Sequence, residues 1–169
     1  MFSLLFFAVL CASCLAAPDE HYSFSPPVGP GGGTSFSTAG DGGIRGIRVW
    51  ESINAYITGL QVRNGFSWSN VIGHTLGSSQ ELELCDDEYI IQISGKYSTS
   101  YIYQLIFVTS TGRSLIVGQP THTSFNFCPI HCGCELKMLS GRYTTSGIKS
   151  LGAHWGSWMI STNTSVHDY

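Results

Sequence analysis

From Thr34 onward the chain is a succession of short runs in which β-branched and aromatic residues alternate with polar ones, each run closed by turn residues. The clearest is 56–63. Tyr56, Thr58, Leu60 and Val62 fall on one side, and Ile57, Gly59, Gln61 and Arg63 on the other. Period-two alternation is the signature of a strand, because successive side chains leave a pleated backbone on opposite faces. Runs 44–50, 80–84, 89–97, 101–109, 114–117, 123–127, 135–139 and 148–155 read the same way. Asn64-Gly65, Gly77-Ser78, Gly112 and Gly133 punctuate them. No segment sustains a helical period with start and stop signals. The pattern predicts an all-β sandwich, barrel or prism.

A length of 169 residues fits one domain with short tails. Charged residues make up 11%, and Ser, Thr, Asn, Gln and Tyr supply the polarity. The net charge of −3 gives no basis for a nucleic-acid or anionic-membrane partner. Residues 1–17 read as a secretory signal: an apolar core, then the small residues Ala12, Ser13, Ala16 and Ala17 before polar Asp19 and Glu20. The apolar run falls short of the roughly 18–20 residues that span a bilayer. The expected product is secreted and extracellular, with storage in secretory granules and no transmembrane segment.

Cleavage removes Cys11 and Cys14 and leaves Cys85, Cys128, Cys132 and Cys134. An even set in an oxidising compartment predicts two disulfides, with three pairings open. A link from Cys85 to one of the later three is the preferred sketch. Residues 18–28, with Pro26 and Pro27, read as an extended arm. Residues 29–158 form the domain, and residues 159–169 a flexible tail carrying the N-glycosylation acceptor Asn163-Thr164-Ser165.

Several stretches, taken in order, carry a resemblance. They are the Gly29-Pro30-Gly31-Gly32-Gly33-Thr34-Ser35-Phe36-Ser37 opening, 57–65 (ITGLQVRNG) with Trp68, and 91–97 (IQISGKY). They continue with 105–109 (LIFVT), 140–143 (SGRY) and 147–155 (GIKSLGAHW). The set resembles the zymogen granule protein 16 family of jacalin-related lectins, over about residues 29–158. The Gly147-Ile148-Lys149-Ser150 piece is nearer the homolog B branch. The resemblance implies a β-prism I fold: three four-stranded antiparallel Greek-key sheets around one axis. Trp50, Leu60, Val62, Ile91, Ile93, Leu105, Phe107, Leu151 and Trp155 are its candidate core.

It also implies a carbohydrate site. Sugars present closely spaced hydroxyls that both donate and accept, so a lectin needs convergent backbone amides, an acceptor and an aromatic surface. In such lectins a glycine loop lets the backbone approach the sugar, and a Gly-x-x-x-Asp loop adds amides and a carboxylate. Here the glycine loop is Gly31-Gly32-Gly33. The second loop, Tyr143-Thr144-Thr145-Ser146-Gly147-Ile148-Lys149, has Thr145 in place of glycine and Lys149 in place of aspartate. A donor-only cation replaces an acceptor-only anion. The lost charge-assisted bond is worth about 1.5–3 kcal/mol, or roughly one to two decades of affinity. Binding of free mannose is therefore expected to be poor, and Lys149 with Arg142 suits sialylated, sulfated or phosphorylated glycans; a merely solvated Lys149 is the plainer alternative. A third loop, from Lys96 and Tyr97 to Tyr101, is the selectivity loop by resemblance, with both tyrosines as stacking candidates.

The expected partners are glycans or glycoproteins, such as mucins and cell-surface glycoconjugates. The alternative is a secreted protein-interaction module on the same scaffold with a decayed sugar site. Cys128, His131, Cys132 and Cys134 could be read as a zinc cluster, but oxidised cysteines bind no zinc, so neither metal nor cofactor is expected. Asp86, Asp87 and Glu88 read as a solvated turn. There is no Gly-x-Ser-x-Gly elbow and no P-loop, so the sequence offers no argument for an enzyme.

Overall fold

The computed structural model describes residues 21–157, which contain thirteen strands and no helix. They form three antiparallel sheets, each built on a central hairpin. The first hairpin is β3 (Ile44–Glu51) with β4 (Ile57–Asn64), flanked by β7 (Ser78–Glu83) on one side. Two short strands, β5 (Ser67–Trp68) and β6 (Ile72–Gly73), pair with β4 on the other side. The second is β8 (Ile90–Tyr97) with β9 (Ile102–Thr109), flanked by β11 (Thr123–Phe127) and β10 (Ser114–Gly118). The third is β12 (Cys134–Tyr143) with β13 (Ile148–Ser157), the last strands described. Its flanks come from the opposite end of the described chain, β1 (Tyr22–Val28) and β2 (Thr34–Ser37). Two sheets have four strands as expected; the β3–β4 sheet has five.

The inner faces of the sheets meet in one core. Ile47, Leu60, Ile93, Phe107, Leu139, Leu151 and Trp155 are wholly buried. Each sheet touches the other two, with β13 against β4 and β9, and β4 against β9. Of the expected core, Trp50 is only half-buried and Ile91 is exposed. Trp50 lies on the outer face of β3 beside inward-facing Val49, whereas Ile91 falls at the register shift between Ile90 and Gln92, so that Ile90 and Ile93 both take the interior.

Residues expected to be an arm enter the sheet. β1 pairs with β13 from Tyr22↔Gly156 to Val28↔Leu151, with a register shift between Ser25 and Val28. The shift coincides with Pro26 and Pro27, which have no N–H to donate. The turns joining β3–β4, β8–β9 and β12–β13 define one pole, called the rim below. β1 arrives at the rim, and β13 departs from it, so Tyr22 and Gly156 lie together at the far pole.

The expected disulfides are not formed: Cys85, Cys128, Cys132 and Cys134 are free thiols. Cys134 is buried with its Sγ 3.9 Å from the His21 carbonyl, while the other three are exposed. Glu88, expected in a solvated turn, is fully buried and ion-paired to Arg113. The signal (1–17), the tail (159–169) and Asn163 lie outside the described residues.

Candidate carbohydrate site

The glycine loop between β1 and β2 is locked against the β12–β13 turn. Gly29 (φ 95°) and Gly33 (φ 84°) make this possible. A Cβ on Gly29 would stand 2.3 Å from the Lys149 carbonyl oxygen, and one on Gly33 would stand 2.4 Å from that of Tyr143. Both would overlap backbone, and the left-handed φ disfavours a side chain as well. Arg142 Nη1 donates to the Gly33 carbonyl oxygen at 3.0 Å. The loop between these anchors is open, with nothing within 4 Å of a Cβ built on Gly31 or Gly32.

The β12–β13 turn is closed by Thr144 N–H donating to the Gly147 carbonyl at 2.9 Å. Thr145 and Ser146 are exposed at its tip, and Tyr143 and Thr144 are half-buried. Gly147 and Ile148 are buried. The Ile148 side chain belongs to the core, so this residue can offer a ligand only its main chain.

Lys149 turns toward the neighbouring sheet. Its Nζ lies over the Tyr101 ring, 4.8 Å from the centroid. Tyr101 in turn stacks on Tyr56 at 4.1 Å and 9°. The phenol expected to stack on a sugar is thus already engaged by Tyr56 and by the lysine ammonium. Tyr97 tilts against Phe125 at 6.2 Å, and Lys96 Nζ donates to Ser124 Oγ at 2.7 Å. These two side chains face β11. What the β8–β9 turn presents to the rim is Ser98, whose Oγ accepts from Ser100 N–H and Tyr101 N–H, and Thr99.

The three loops meet. Gly29 and Pro30 share one cleft, of about 270 Å³, with Tyr97, Ser98, Thr99 and Thr123. They share a second, of about 360 Å³, with Gly31, Ser35, Arg142 and Ser150. No carboxylate lines either cleft. These two clefts therefore offer main-chain groups, hydroxyls and the Arg142 guanidinium, but no carboxylate acceptor. Tyr56 was not among the residues expected here; its place at the end of the alternating 56–63 run pointed only to a strand. Among the described residues no group of three or more His, Cys, Asp or Glu side chains is placed to hold a metal ion.

Three sheets sharing a core, with a glycine loop laid across the last hairpin, define a lectin domain of the jacalin type. The chain belongs to the jacalin-like lectin domain family, which matches residues 25–154, a family of carbohydrate-binding proteins and not of enzymes. It is 41% identical to zymogen granule membrane protein 16 of Mus musculus over 169 residues, covering 97% of this chain and 99% of the mouse protein. It is 42% identical to the Homo sapiens protein over 161 residues, covering 92% and 94%. Among solved structures it is similar to a prostate-specific WGA16 glycoprotein lectin at a TM-score of 0.72. There the identity is 33%, covering 81% of this chain and 100% of that one.

Proposed function

We propose that this is a secreted lectin that takes acidic glycans at the rim and binds free mannose poorly. The observation that supports the reading is that the glycine loop shares one cleft with Ser98 and Thr99 and another with Arg142 and Ser150, neither holding a carboxylate, while Gly33 packs on Tyr143 and Thr144. Open main chain at Gly31 and Gly32 lets a pyranose reach backbone amides. The Lys149 ammonium, lying on the Tyr101 ring, retains donors for a carboxylate, sulfate or phosphate. Residues 1–17 would direct export, and the zymogen granule relatives support granule storage. Glycoproteins such as mucins and cell-surface glycoconjugates are the natural partners.

A glycan array tests this, with Gly31→Val as the control. Gly31 has open space around it and no left-handed backbone, so valine crowds a ligand without disturbing the fold. Acidic glycans should bind the native protein, lose about ten-fold or more on Gly31→Val, and lose it again on Lys149→Asp. Mannose binding in the low millimolar range, or acidic binding indifferent to both changes, would defeat the reading. One observation favours a second reading, a protein-interaction module with a decayed site: Tyr101, a stacking candidate, is already engaged by Tyr56 and Lys149. An array that is silent throughout would support it.

A further inference from the structure

The pole opposite the rim carries a second concavity, of about 790 Å³, where β3 begins and β4 ends. An eight-residue strand separates it from the rim by about 23 Å, so it is no extension of the loops described above. Its walls are the 39–42 loop, the Gly65–Phe66 turn, Trp68, Arg45, Arg63, Leu84 and Asp86.

Three features set this cleft apart. The first is Arg45. Among the described arginines, Arg48 pairs with Glu81, Arg63 with Glu83 and Arg113 with Glu88, while Arg142 donates to a carbonyl. The half-buried Arg45 guanidinium has neither an ion pair nor a hydrogen bond, although Asp41 and Asp86 line the same cleft. The second is Phe66, fully exposed on the tight turn that pairs Asn64 with Ser67. A polar residue would serve solvent better at such a turn. The third concerns buried polar atoms. Two in the described residues lack any partner, Arg63 Nε and Asn64 Oδ1, and both residues line this cleft. A native fold leaves few such groups unexplained. One is a donor and the other an acceptor, the complement of a hydroxyl. Both atoms are closed off from solvent in the free protein, so a ligand reaches them only with a local shift of the cleft wall.

We infer that this cleft is a second saccharide seat, specific for a carboxylate-bearing sugar such as a uronic acid terminus. The guanidinium takes the carboxylate, which it can grip with two parallel N–H bonds. The Phe66 ring takes the C–H face of the pyranose. Asp41 and Asp86, both exposed on the cleft wall, accept from hydroxyls, and Asn64 Oδ1 does so once uncovered. This seat is independent of the rim. With both occupied, one molecule bridges two glycans from opposite poles.

The test is an amide and indole NMR titration of the protein with glucuronate, and with glucose as the neutral counterpart. Glucuronate should move the signals of Gly40, Gly42, Gly65 and the Trp68 indole saturably, and glucose should not. Arg45→Gln should weaken this about ten-fold or more, as loss of a charge-assisted pair does, and Phe66→Ser should weaken it too. Phe66 buries nothing in the free protein, so that second variant tests the seat without risk to folding. Lys149→Ala, at the rim, should leave these shifts unchanged. Silence of the four signals, equal response to glucose, or indifference to both cleft variants would overturn the inference. Rim signals that respond while the cleft is silent would remove this seat alone and leave the proposed function standing; the reverse would do the opposite.

Discussion

Glu88 keeps a full negative charge where solvent does not reach it. Its Oε1 accepts from Arg113 Nε at 2.9 Å and from Thr111 Oγ1 at 2.5 Å. Its Oε2 accepts from Cys85 N–H at 2.9 Å and from Arg113 Nη2. The Arg113 guanidinium outweighs the cost of burial and holds the carboxyl far below the usual carboxylate range. The same contact pins the loop after β7 to the turn between β9 and β10. Glu88→Gln keeps the shape but puts an amide donor against donors. It should lower stability by about 1.5–3 kcal/mol, the worth of hydrogen bonds to a charged group; an unmoved urea midpoint would refute this. Nothing local in Asp86-Asp87-Glu88 separates Glu88 from its neighbours. What buries it is an arginine 25 positions later, brought close by the sheet.

At the scale of elements, β1 does more than add an edge. Trp155, wholly buried, donates its indole N–H to Ser25 Oγ at 2.9 Å. Ser23, also on β1, is buried. Ser25→Ala should orphan the indole donor and cost about 1–3 kcal/mol, read as a lowered Tm with unchanged far-UV spectrum. A Tm within error of the native protein would show that the bond carries no weight. The hairpins β3–β4, β8–β9 and β12–β13 were legible in the sequence because period-two alternation and β-branched runs survive burial on one face. β1 was not. Its Pro26 and Pro27 forbid regular pairing, and only its position at the edge lets the ladder skip them. The rim was legible through the resemblance and not through spacing, since Gly31, Ser98 and Ser146 are far apart in the chain. The stack of Lys149, Tyr101 and Tyr56 was not legible at all. It needs the turns of three different sheets to be in place first.

For the whole molecule, acid is the condition that loosens the fold. His154 lies between β1 and β12, with its Nε2 2.9 Å from Ser140 Oγ and its Nδ1 bonded to Tyr22 Oη. Burial pushes its pKa below the ordinary imidazole value of 6.5. Both His154 and Glu88 bind protons less readily folded than unfolded, so each stabilises at neutral pH and is lost on acidification. The His154 contribution should begin to fade below pH 6.5, and that of Glu88 below its ordinary carboxyl value of 4.5. Melting temperatures taken from about pH 8 to about pH 3 should fall in two stages. His154→Gln should flatten the first stage and Glu88→Gln the second. A single decline insensitive to both substitutions would show that other groups govern the acid limb.

The antiparallel partnership of β1 and β13 has a practical corollary. His21 N–H donates to Ser157 Oγ, and Ser157 N–H to the His21 carbonyl, so the two ends of the described chain lie side by side at one doorway. That doorway is on the underside with respect to the glycine loop. A bead, a fluorophore or a fused partner attached at either of these residues would therefore leave the opposite rim turned outward.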